Sequence, residues 1–188
     1  MSASGLVVFS LDLECKCFLG LFPEINRAWL TIDNRLFLWN YDNGSDFQSY
    51  DELDQIIVSV ALVPPREGIF IAEIKHLLVI ATPVETILLG VCVAEGRRGG
   101  LGGGDLTLYP TQLYVPSDNI NMLSIKGTDN GRIFMCGQDG NLHELVYQAE
   151  DGWFVRKCRK VNRTQGRLAA FTPTFLKFVA DGTETVAS

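Results

Sequence analysis

The chain has 188 residues, of which 47% are hydrophobic, 10% aromatic and 20% charged, and its formal net charge is −6. This composition is that of one ordinary globular domain and excludes a disordered or fibrous chain. Nucleic-acid-binding domains carry a positively charged surface, so a chain with this net charge is not expected to bind nucleic acid directly.

The cysteines exclude a disulfide framework, because their number is odd and their spacing is scattered. Cys15 and Cys17 are separated by one residue, which is closer than the two to four intervening residues of common zinc sites. This pattern is typical of free thiols in a reducing compartment, so we expect an intracellular protein. The five cysteines are Cys15, Cys17, Cys92, Cys136 and Cys158.

The predicted strands begin with an aromatic-rich pair at residues 27–30 and 35–41. Asp33 and Asn34 lie between them and favour a tight turn. Side chains alternate along a strand, and both faces of the second strand are apolar. Two apolar faces are typical of a strand in a sheet that lies inside a stack of sheets. A polar turn at residues 42–46 follows.

The longest apolar run, residues 77–94, is long enough to be mistaken for a membrane span. Pro83 and Glu85 lie at its centre, where a proline interrupts a helix and a charge in the middle of a bilayer is costly. The run is therefore predicted to form a hairpin of two strands, at residues 75–81 and 86–93.

The other predicted strands are also separated by glycine, asparagine and aspartate. Asn130-Gly131 and Asp139-Gly140 are strong hairpin turns. No span of a dozen residues shows a helical period, so the chain is predicted to be all-β, as a sandwich or a propeller. The remaining predicted strands cover residues 56–63, 122–126, 131–136, 141–148 and 153–159.

Two segments favour the propeller over the sandwich. Residues 28–40 and 128–145 each contain a small or polar residue, a strand, a turn and an aromatic-rich strand, as in the middle hairpin of a blade. At about 40–45 residues per blade, the chain has room for about four blades. Long insertions, such as residues 96–116, reduce the expected number to two or three.

Typical propellers have four to eight blades, so a ring of two or three blades is not expected to close. The predicted fold is an all-β, partial β-propeller of antiparallel four-stranded sheets. Its open ring leaves a sheet edge and a blade face exposed, which favours association. We predict an N-terminal extension at residues 1–14, an incomplete propeller at 15–178 with a flexible glycine-rich loop at 95–105, and a disordered tail at 179–188.

The motifs that suggest catalysis or ligand binding are incomplete. The glycine-rich loop lacks the Lys and Ser/Thr that follow the last glycine of a phosphate-binding loop, and Asp105 stands there instead. His143-Glu144 begins a zinc-protease motif, but Tyr147 occupies the position of its second histidine. We predict that the chain is not an enzyme and has no catalytic, metal or cofactor site, and no pattern assigns its partner-binding residues.

Two charged clusters each allow two interpretations. The acidic residues at 51–54 suit acid–base chemistry or cation binding, but no second cluster lies at a recognisable spacing, so a solvated turn is favoured. The basic run at residues 156–160, with Arg163 and Arg167, forms either a solvated face or a contact for an acidic partner.

Three blocks of sequence resemble the N-terminal propeller of the nucleoporin 155/170 family. They are residues 20–41, with GLFPEINRAWLTID and LFLWNY, residues 76–90, with HLLVIATPV and ILLG, and residues 128–160, with TDNGRIF, YQAE and GWF. The resemblance covers residues 15–178 in the family's order, which is more specific than any single motif.

The resemblance implies a non-catalytic scaffold protein of the inner ring of the nuclear pore complex, located in the nucleus at the nuclear envelope. It implies a role in nucleocytoplasmic transport, including protein and mRNA transport, and binding to other inner-ring nucleoporins. Members of the family join an N-terminal propeller to a long C-terminal α-solenoid, so this chain is expected to be a fragment.

Some members of the family contact the pore membrane through an amphipathic segment that this chain does not contain. Proximity to the nuclear envelope membrane is therefore expected only through regions outside the chain. Two alternatives remain: a WD-like propeller interaction module of another intracellular assembly, and a small enzyme on a β scaffold.

Overall fold

The computed structural model describes residues 15–94, 104–149 and 157–164. These residues form twelve strands and one short 3-10 helix, in three antiparallel sheets of four strands. Each sheet takes four consecutive strands in chain order, which is the arrangement of a propeller blade. The all-β, partial-propeller prediction is confirmed, and three blades agree with the expected two to three.

Strands are numbered in chain order, and each sheet is named as one blade. Blade 1 contains β1 (Cys17–Phe22), β2 (Arg27–Ile32), β3 (Arg35–Asn40) and β4 (Gln48–Tyr50), with the 3-10 helix at Pro23–Ile25. Blade 2 contains β5 (Ser59–Val63), β6 (His76–Ala81), β7 (Glu85–Val93) and β8 (Leu106–Pro116). Blade 3 contains β9 (Met122–Gly127), β10 (Ile133–Gly137), β11 (Leu142–Tyr147) and β12 (Cys158–Asn162).

The two predicted middle hairpins occupy the centres of their blades. In blade 1, β2 and β3 pair from Arg27 with Asn40 to Ile32 with Arg35, so the turn at Asp33 directly joins the paired ends. In blade 3, β10 and β11 hold the same central positions. The prediction of two middle hairpins is therefore confirmed.

The long apolar run forms the central hairpin of blade 2. Its strands β6 and β7 pair antiparallel, and the Thr82 hydroxyl accepts hydrogen bonds from the backbone N–H groups of Val84 and Glu85 in the turn. The predicted hairpin is confirmed. Among the residues that the structure describes, no helix is long and apolar enough to cross a bilayer.

Blade 2 lies between the other two blades, which explains why β6 is apolar on both faces. Leu78 and Ile80 pack with Leu36 of blade 1 in one hydrophobic core. Leu77 and Val79 face the other way and pack in a second core with residues of blade 3. Burying each such side chain contributes about 1.5–3 kcal/mol, so the two seams between blades are a main source of stability.

The first strands of the three blades meet at one cleft. A cleft of about 420 Å³ is lined together by Leu21 of β1, Val60 and Leu62 of β5 and Ile125 of β9. Between blades 2 and 3, the first strands β5 and β9 adjoin, and so do the fourth strands β8 and β12. First strands therefore form the inner edge of the stack, and fourth strands form its outer rim.

A buried arginine fastens blade 1 to the start of the fourth strand of blade 2. Arg27 is fully buried, and its Nη2 donates to Asp46 Oδ2 at 2.6 Å and to the carbonyl oxygen of Gly104 at 2.7 Å. Asp46 also accepts a hydrogen bond from the backbone N–H of Leu106 at 2.8 Å. Burial alone raises the pKa of Asp46, but the hydrogen bonds from Leu106, Arg27 and Gln48 outweigh it and lower that pKa.

Tyr147 fastens blade 3 to the connection between β5 and β6. Its hydroxyl accepts a hydrogen bond from the backbone N–H of Arg66 at 2.9 Å and donates one to the carbonyl oxygen of Gly131 at 2.8 Å. The ring of Phe70 lies 6.1 Å from the Tyr147 ring. A buried phenol with both hydrogen-bonding roles satisfied holds this seam in one register.

The expectation of an insertion at residues 96–116 is wrong for its second half. Residues from Leu106 to Pro116 form β8, which completes blade 2. Pro110 and a register shift beside Leu89 interrupt the alternating pattern that would predict this strand. Both features are tolerated because β8 is an edge strand. Blade 2 therefore has four strands despite the length of the segment.

Several observed strand boundaries differ from the predicted ones, and some predictions fall on residues outside the described ranges. The strand expected at 56–63 begins only at Ser59, because the backbone N–H of Ile57 donates to Asp33 of blade 1 instead of to a strand of its own sheet. The extension, the tail, residues 95–103 of the loop and residues 153–156 of the last predicted strand are among the residues not described. The sequence pattern did not predict strands β1 and β4.

Candidate protein-interaction site

An apolar sheet face covers the side of blade 1 that points away from blade 2. Leu36 and Leu38 of β3 point toward blade 2, and the strand registers place every second neighbouring side chain on the opposite side. We call this opposite surface the blade 1 face. It consists of Leu19, Leu21, Ala28, Leu30, Ile32, Phe37 and Trp39.

The blade 1 face is strongly exposed at its first strand and its outer rim. Leu19 is 80% exposed and Leu21 is 61% exposed. At the rim, the exposed ring of Phe47 stacks on Phe37 with 5.8 Å between centroids. Contiguous apolar surface of this kind marks an interaction site in a soluble protein. The predicted exposure of a blade face is confirmed.

The opposite end of the stack carries a face of different chemistry. Ile133, Met135 and Leu145 point toward blade 2, so the alternate side chains of blade 3 point away from it. We call this surface the blade 3 face. It consists of Lys126, Arg132, Phe134, Cys136, Leu142, Glu144, Val146, Arg159, Val161 and Arg163.

Glu144 lies at the centre of the blade 3 face and is held by two arginines. Arg132 donates from Nε to Oε1 at 2.8 Å and from Nη2 to Oε2 at 2.9 Å, and Arg163 Nη2 lies 2.6 Å from Oε2. The hydrogen bonds from Arg132 are the main reason that the pKa of Glu144 is lowered. The Arg132 guanidinium also lies 4.7 Å from the centre of the Phe134 ring.

This arrangement makes folding sensitive to acid. Because the pKa of Glu144 is lowered in the folded state, its contribution to stability is present above the unfolded pKa of about 4.3 and is lost as the pH falls below it. We expect Glu144→Gln to lower the free energy of unfolding by about 2 kcal/mol at pH 7. Below pH 5, the free energy of unfolding of the variant should change less with pH than that of the wild type. Urea denaturation across pH 3–7 measures both effects.

Glu67→Gln is the matched control for this prediction, because Glu67 is an exposed glutamate on the connection between β5 and β6. This control is expected to follow the wild-type curve. A Glu144→Gln variant with wild-type stability at pH 7 would contradict the role assigned to the two arginines.

The basic run at residues 156–160 does not form one continuous face. Strand alternation turns Lys160 inward to Asp118 at 2.8 Å, whereas Arg159 and Arg163 belong to the blade 3 face. Arg156 and Arg167 lie outside the described residues. Arg159 and Arg163 are exposed, and both the solvated face and the contact for an acidic partner stay predictions.

The two histidines and the acidic cluster lie in separate parts of the described fold. His143 is buried, and its Nε2 lies 3.2 Å from Asp139 Oδ2. Burial lowers the pKa of His76. Asp51, Glu52 and Asp54 are exposed between β4 and β5. Within the described ranges, no group of three or more His, Cys, Asp and Glu side chains is placed to hold a metal ion.

The Cys15 thiol, which precedes β1, is a weak nucleophile. Cys15 and Cys17 are exposed, with 3.3 Å between their sulfur atoms. The hydrogen bond with Cys17 is the main reason that the pKa of Cys15 is raised to about 11, with further contributions from desolvation and the Asp33 carboxylate. A thiol with that pKa is protonated at neutral pH, which disfavours nucleophilic or metal-binding chemistry.

A family model described as "Nup133 N terminal like" matches residues 6–188 of the chain. The chain belongs to this nucleoporin N-terminal family. The match includes residues 6–14 and 179–188, which sequence analysis assigns to an extension and a tail. It covers all three blades.

Curated relatives in this family are similar along most of the chain. Nuclear pore complex protein Nup154 of Drosophila melanogaster is 44% identical over 170 residues, covering 90% of this chain and 12% of that protein. Nucleoporin NUP170 of Chaetomium thermophilum is 42% identical over 158 residues, covering 83% of this chain and 11% of that protein. NUP170 of Saccharomyces cerevisiae is 37% identical over 164 residues, covering 86% and 10%.

A solved structure of a relative has the same fold. The crystal structure of the Chaetomium thermophilum Nup170 NTD–Nup53 complex matches with a TM-score of 0.74 and 42% identity, covering 80% of this chain and 21% of that chain. The resemblance to the nucleoporin 155/170 family is confirmed. These relatives are nucleoporins and not enzymes, and the chain spans about an eighth or less of the length of the curated relatives.

The exposed residues of the blade 1 face were not predicted from the sequence. Leu19 and Leu21 lie in the run Cys17–Phe22, which has no polar residue to mark an alternating strand. Phe47 precedes the three-residue strand β4, which is too short to give a periodic signal. The blade repeat could have indicated β1 and β4, because the middle hairpin of a four-stranded blade has one further strand on each side.

Proposed function

We propose that the chain is a scaffold segment of the inner ring of the nuclear pore complex and supports nucleocytoplasmic transport by binding other proteins. The observation that carries this proposal is 44% identity to Nup154 over 90% of the chain, together with the matching fold of the Nup170 NTD. The chain spans only a small part of these relatives, so a cellular role shared with them is a proposal. We assign the propeller segment to residues 15–178.

The partners proposed for the chain are other nucleoporins of the inner ring. Support comes from the solved relative, which was crystallised with Nup53. The two blade faces offer surfaces of suitable chemistry, one apolar and one rich in arginine. Any proximity to the nuclear envelope membrane would come through other parts of such an assembly. Direct binding to nucleic acid is not expected, because the chain has a net charge of −6.

The proposed role needs no catalysis. Catalytic sites bring together groups with shifted pKa values in one cleft. Among the described residues, the pKa of Cys15 is raised to about 11, and burial raises the pKa of Cys158 to about 12. Cys15 precedes blade 1 and Cys158 lies in blade 3, so the two thiols do not share a cleft. Neither thiol is ionised at neutral pH, so neither is suited to act as a nucleophile.

The test is expression of the tagged chain in cells, with imaging of the nuclear rim and quantitative recovery of bound proteins. A full-length family member is the positive control. We expect a signal at the nuclear rim and enrichment of inner-ring nucleoporins. Enrichment of a different assembly with no signal at the rim would support the alternative of a WD-like interaction module and would reject the scaffold proposal.

Two variants show whether localisation depends on the fold. Gly131→Ala places a methyl group 2.3 Å from the backbone nitrogen of Arg66, whereas Gly140→Ala places one in open space. Loss of the rim signal with Gly131→Ala, and its retention with Gly140→Ala, is the expected result. Equal rim signal from both variants would indicate targeting by a short linear segment instead of the folded blades.

A further inference from the structure

We propose that Cys15 and Cys17 form a reversible oxidation site, at which hydrogen peroxide converts the two thiols into a disulfide within the chain. This inference is independent of the proposed function, because it rests on the geometry of the two thiols and of the turn beside them. It assigns a chemical modification to the start of β1.

The two sulfur atoms already lie at a distance from which a bond can form. They are 3.3 Å apart, whereas a disulfide bond measures about 2.0 Å. Reacting atoms that are held about 3–3.5 Å apart are close to the geometry of attack. Side chains two residues apart in an extended segment point to the same side, which is why one intervening residue brings these thiols together. A short movement of the side chains therefore suffices for bond formation.

The turn between β2 and β3 holds the segment that carries the two thiols. The backbone N–H of Lys16 donates to Asp33 Oδ1 at 3.1 Å, and the Lys16 carbonyl oxygen accepts from the backbone N–H of Asp33 at 3.0 Å. The carbonyl oxygen of Asp33 accepts a hydrogen bond at 2.8 Å from Ile57, which is buried in the core between blades 1 and 2. Lys16 is thus fixed through both of its backbone groups, and the cysteines on either side of it stay together.

Oxidation begins at Cys17. The hydrogen bond with Cys17 and the nearby Asp33 carboxylate raise the pKa of Cys15, so Cys15 keeps its proton and the first attack falls to Cys17. The Cys17 thiolate attacks one oxygen of hydrogen peroxide and the O–O bond breaks. Cys17 is thereby oxidised to a sulfenic acid, and the other peroxide oxygen leaves as hydroxide.

Cys15 acts in the second step, as the resolving thiol. Its sulfur attacks the Cys17 sulfur, the S–O bond breaks, and the Cys15 proton leaves with the departing oxygen as water. Cys15 is too weak a nucleophile to react first, but its position 3.3 Å from the sulfenic sulfur makes this attack intramolecular and therefore favourable. The disulfide also protects Cys17 from further, irreversible oxidation.

The product is expected to be easily reduced. Only Lys16 separates the cysteines, so the disulfide closes a small ring around a residue whose backbone groups are already bonded to Asp33. Ring closure therefore competes with those hydrogen bonds and strains the segment. Strained disulfides are the labile ones, which suits a switch better than a permanent cross-link.

The site does not depend on what lies beside blade 1. Both sulfurs belong to one segment of chain, and the oxidant is little larger than a water molecule. Cys15 and Cys17 also line a cleft of about 660 Å³, whose other walls include Ile57 and Leu123 of the first strand of blade 3. Peroxide can therefore reach the sulfurs through the space between the described blades.

Trypsin gives a direct test, because it cleaves after Lys16, between the two cysteines. From the reduced chain it releases residues 1–16 and 17–27 as separate peptides. The folded 188-residue chain is treated with hydrogen peroxide, its remaining thiols are blocked with N-ethylmaleimide, and the monomer from a non-reducing gel is digested. We expect the two peptides joined, with two hydrogen atoms fewer. Separate peptides that carry blocked thiols or sulfinic acid would overturn the proposal.

Reduced glutathione tests whether the modification is reversible. Two glutathione molecules supply the electrons and become glutathione disulfide, so millimolar glutathione is expected to restore the two separate peptides. Joined peptides that persist in glutathione would show a permanent cross-link and would overturn the reversible site.

Removing Cys15 tests the order of attack. In Cys15→Ser, Cys17 loses the thiol beside it, so dimedone is expected to trap at least about ten times more sulfenic acid at Cys17 than in the wild type. Cys136→Ser is the matched control, since Cys136 is an exposed cysteine of β10, and it should leave the joined peptides unchanged. Equal trapping at Cys17 in Cys15→Ser and the wild type would reject Cys15 as the resolving thiol.

Two substitutions of Asp33 test whether the turn positions the thiols. Asp33 has a positive φ of 53°, which both asparagine and glycine adopt readily. Neither carries the negative charge, but asparagine keeps an oxygen that can accept from the N–H of Lys16, whereas glycine does not. We expect the disulfide to form at least about threefold more slowly in Asp33→Gly than in Asp33→Asn. Equal rates would overturn the positioning role of Asp33.

Discussion

Replacing Asp46 with asparagine is expected to lower the free energy of unfolding by about 3 kcal/mol, because it leaves a buried arginine without its counter-charge. Arg27 is fully buried, and Asp46 is the carboxylate within 2.6 Å of its guanidinium. Asp46 also has a positive φ of 52°, a conformation that asparagine adopts well, so the substitution adds no backbone strain. The measured loss should therefore come from the lost charge.

Urea denaturation at pH 7 measures this loss, and Asp42→Asn is the matched control in the same turn. Asp42 is exposed, so its substitution should change stability by less than about 0.5 kcal/mol. The double substitution of Arg27→Met with Asp46→Asn should recover much of the stability, since it leaves no unpaired charge in the interior and retains an acceptor for the backbone N–H of Leu106. If Asp46→Asn and Asp42→Asn were equally stable, the buried ion pair would not be a determinant of the fold.

Gly131→Ala is expected to destabilise the chain by about 3 kcal/mol or more, through strain and a backbone collision together. Gly131 has a φ of +71°, and a Cβ atom there would lie 2.3 Å from the nitrogen of Arg66 and 2.5 Å from the carbonyl carbon of Pro65. The chain must move to relieve this contact. That movement would disrupt the hydrogen bonds of Tyr147 to Gly131 and Arg66, which hold the seam between blades 2 and 3.

Gly140→Ala separates the two contributions. Gly140 has nearly the same φ, +73°, but its Cβ position has no neighbouring atom within 4 Å. It should therefore lose only the strain of about 1–2 kcal/mol that a left-handed residue with a side chain incurs. Thermal and urea denaturation of both variants give the difference. Equal losses in the free energy of unfolding would mean that the connection from β5 to β6 can shift away from residue 131 without destabilising the fold.

The blades are predictable from the sequence where turn chemistry and strand pattern agree. The pair β2 and β3 has a favourable Asp33-Asn34 turn between two aromatic-rich runs, and the observed hairpin follows it closely. Strand β8 was missed, because Pro110 and a register shift interrupt its pattern, although both are tolerated at the edge of a sheet. Local rules therefore find the centre of a blade more easily than its rim.

The burial of Arg27 and the exposure of Leu19 could not be predicted, because both depend on distant parts of the chain. Arg27 is stabilised by Asp46, 19 residues away, and by the Gly104 carbonyl, 77 residues away, and no local pattern indicates that these groups converge. Leu19 belongs to an apolar strand that would be buried if another blade lay beside it. Hydrophobicity shows that a face can be buried, but only the arrangement of the blades shows whether it is.

The position of blade 2 between its neighbours has a consequence for how the molecule opens. Both faces of β6 are buried, so its backbone amides can exchange with solvent only when a seam separates. Blades 1 and 3 are each attached to blade 2 through one face and can detach singly, whereas blade 2 loses its surroundings only after one of them has left. Among the three described blades, the central hairpin of blade 2 is therefore expected to be the last cooperative unit to unfold.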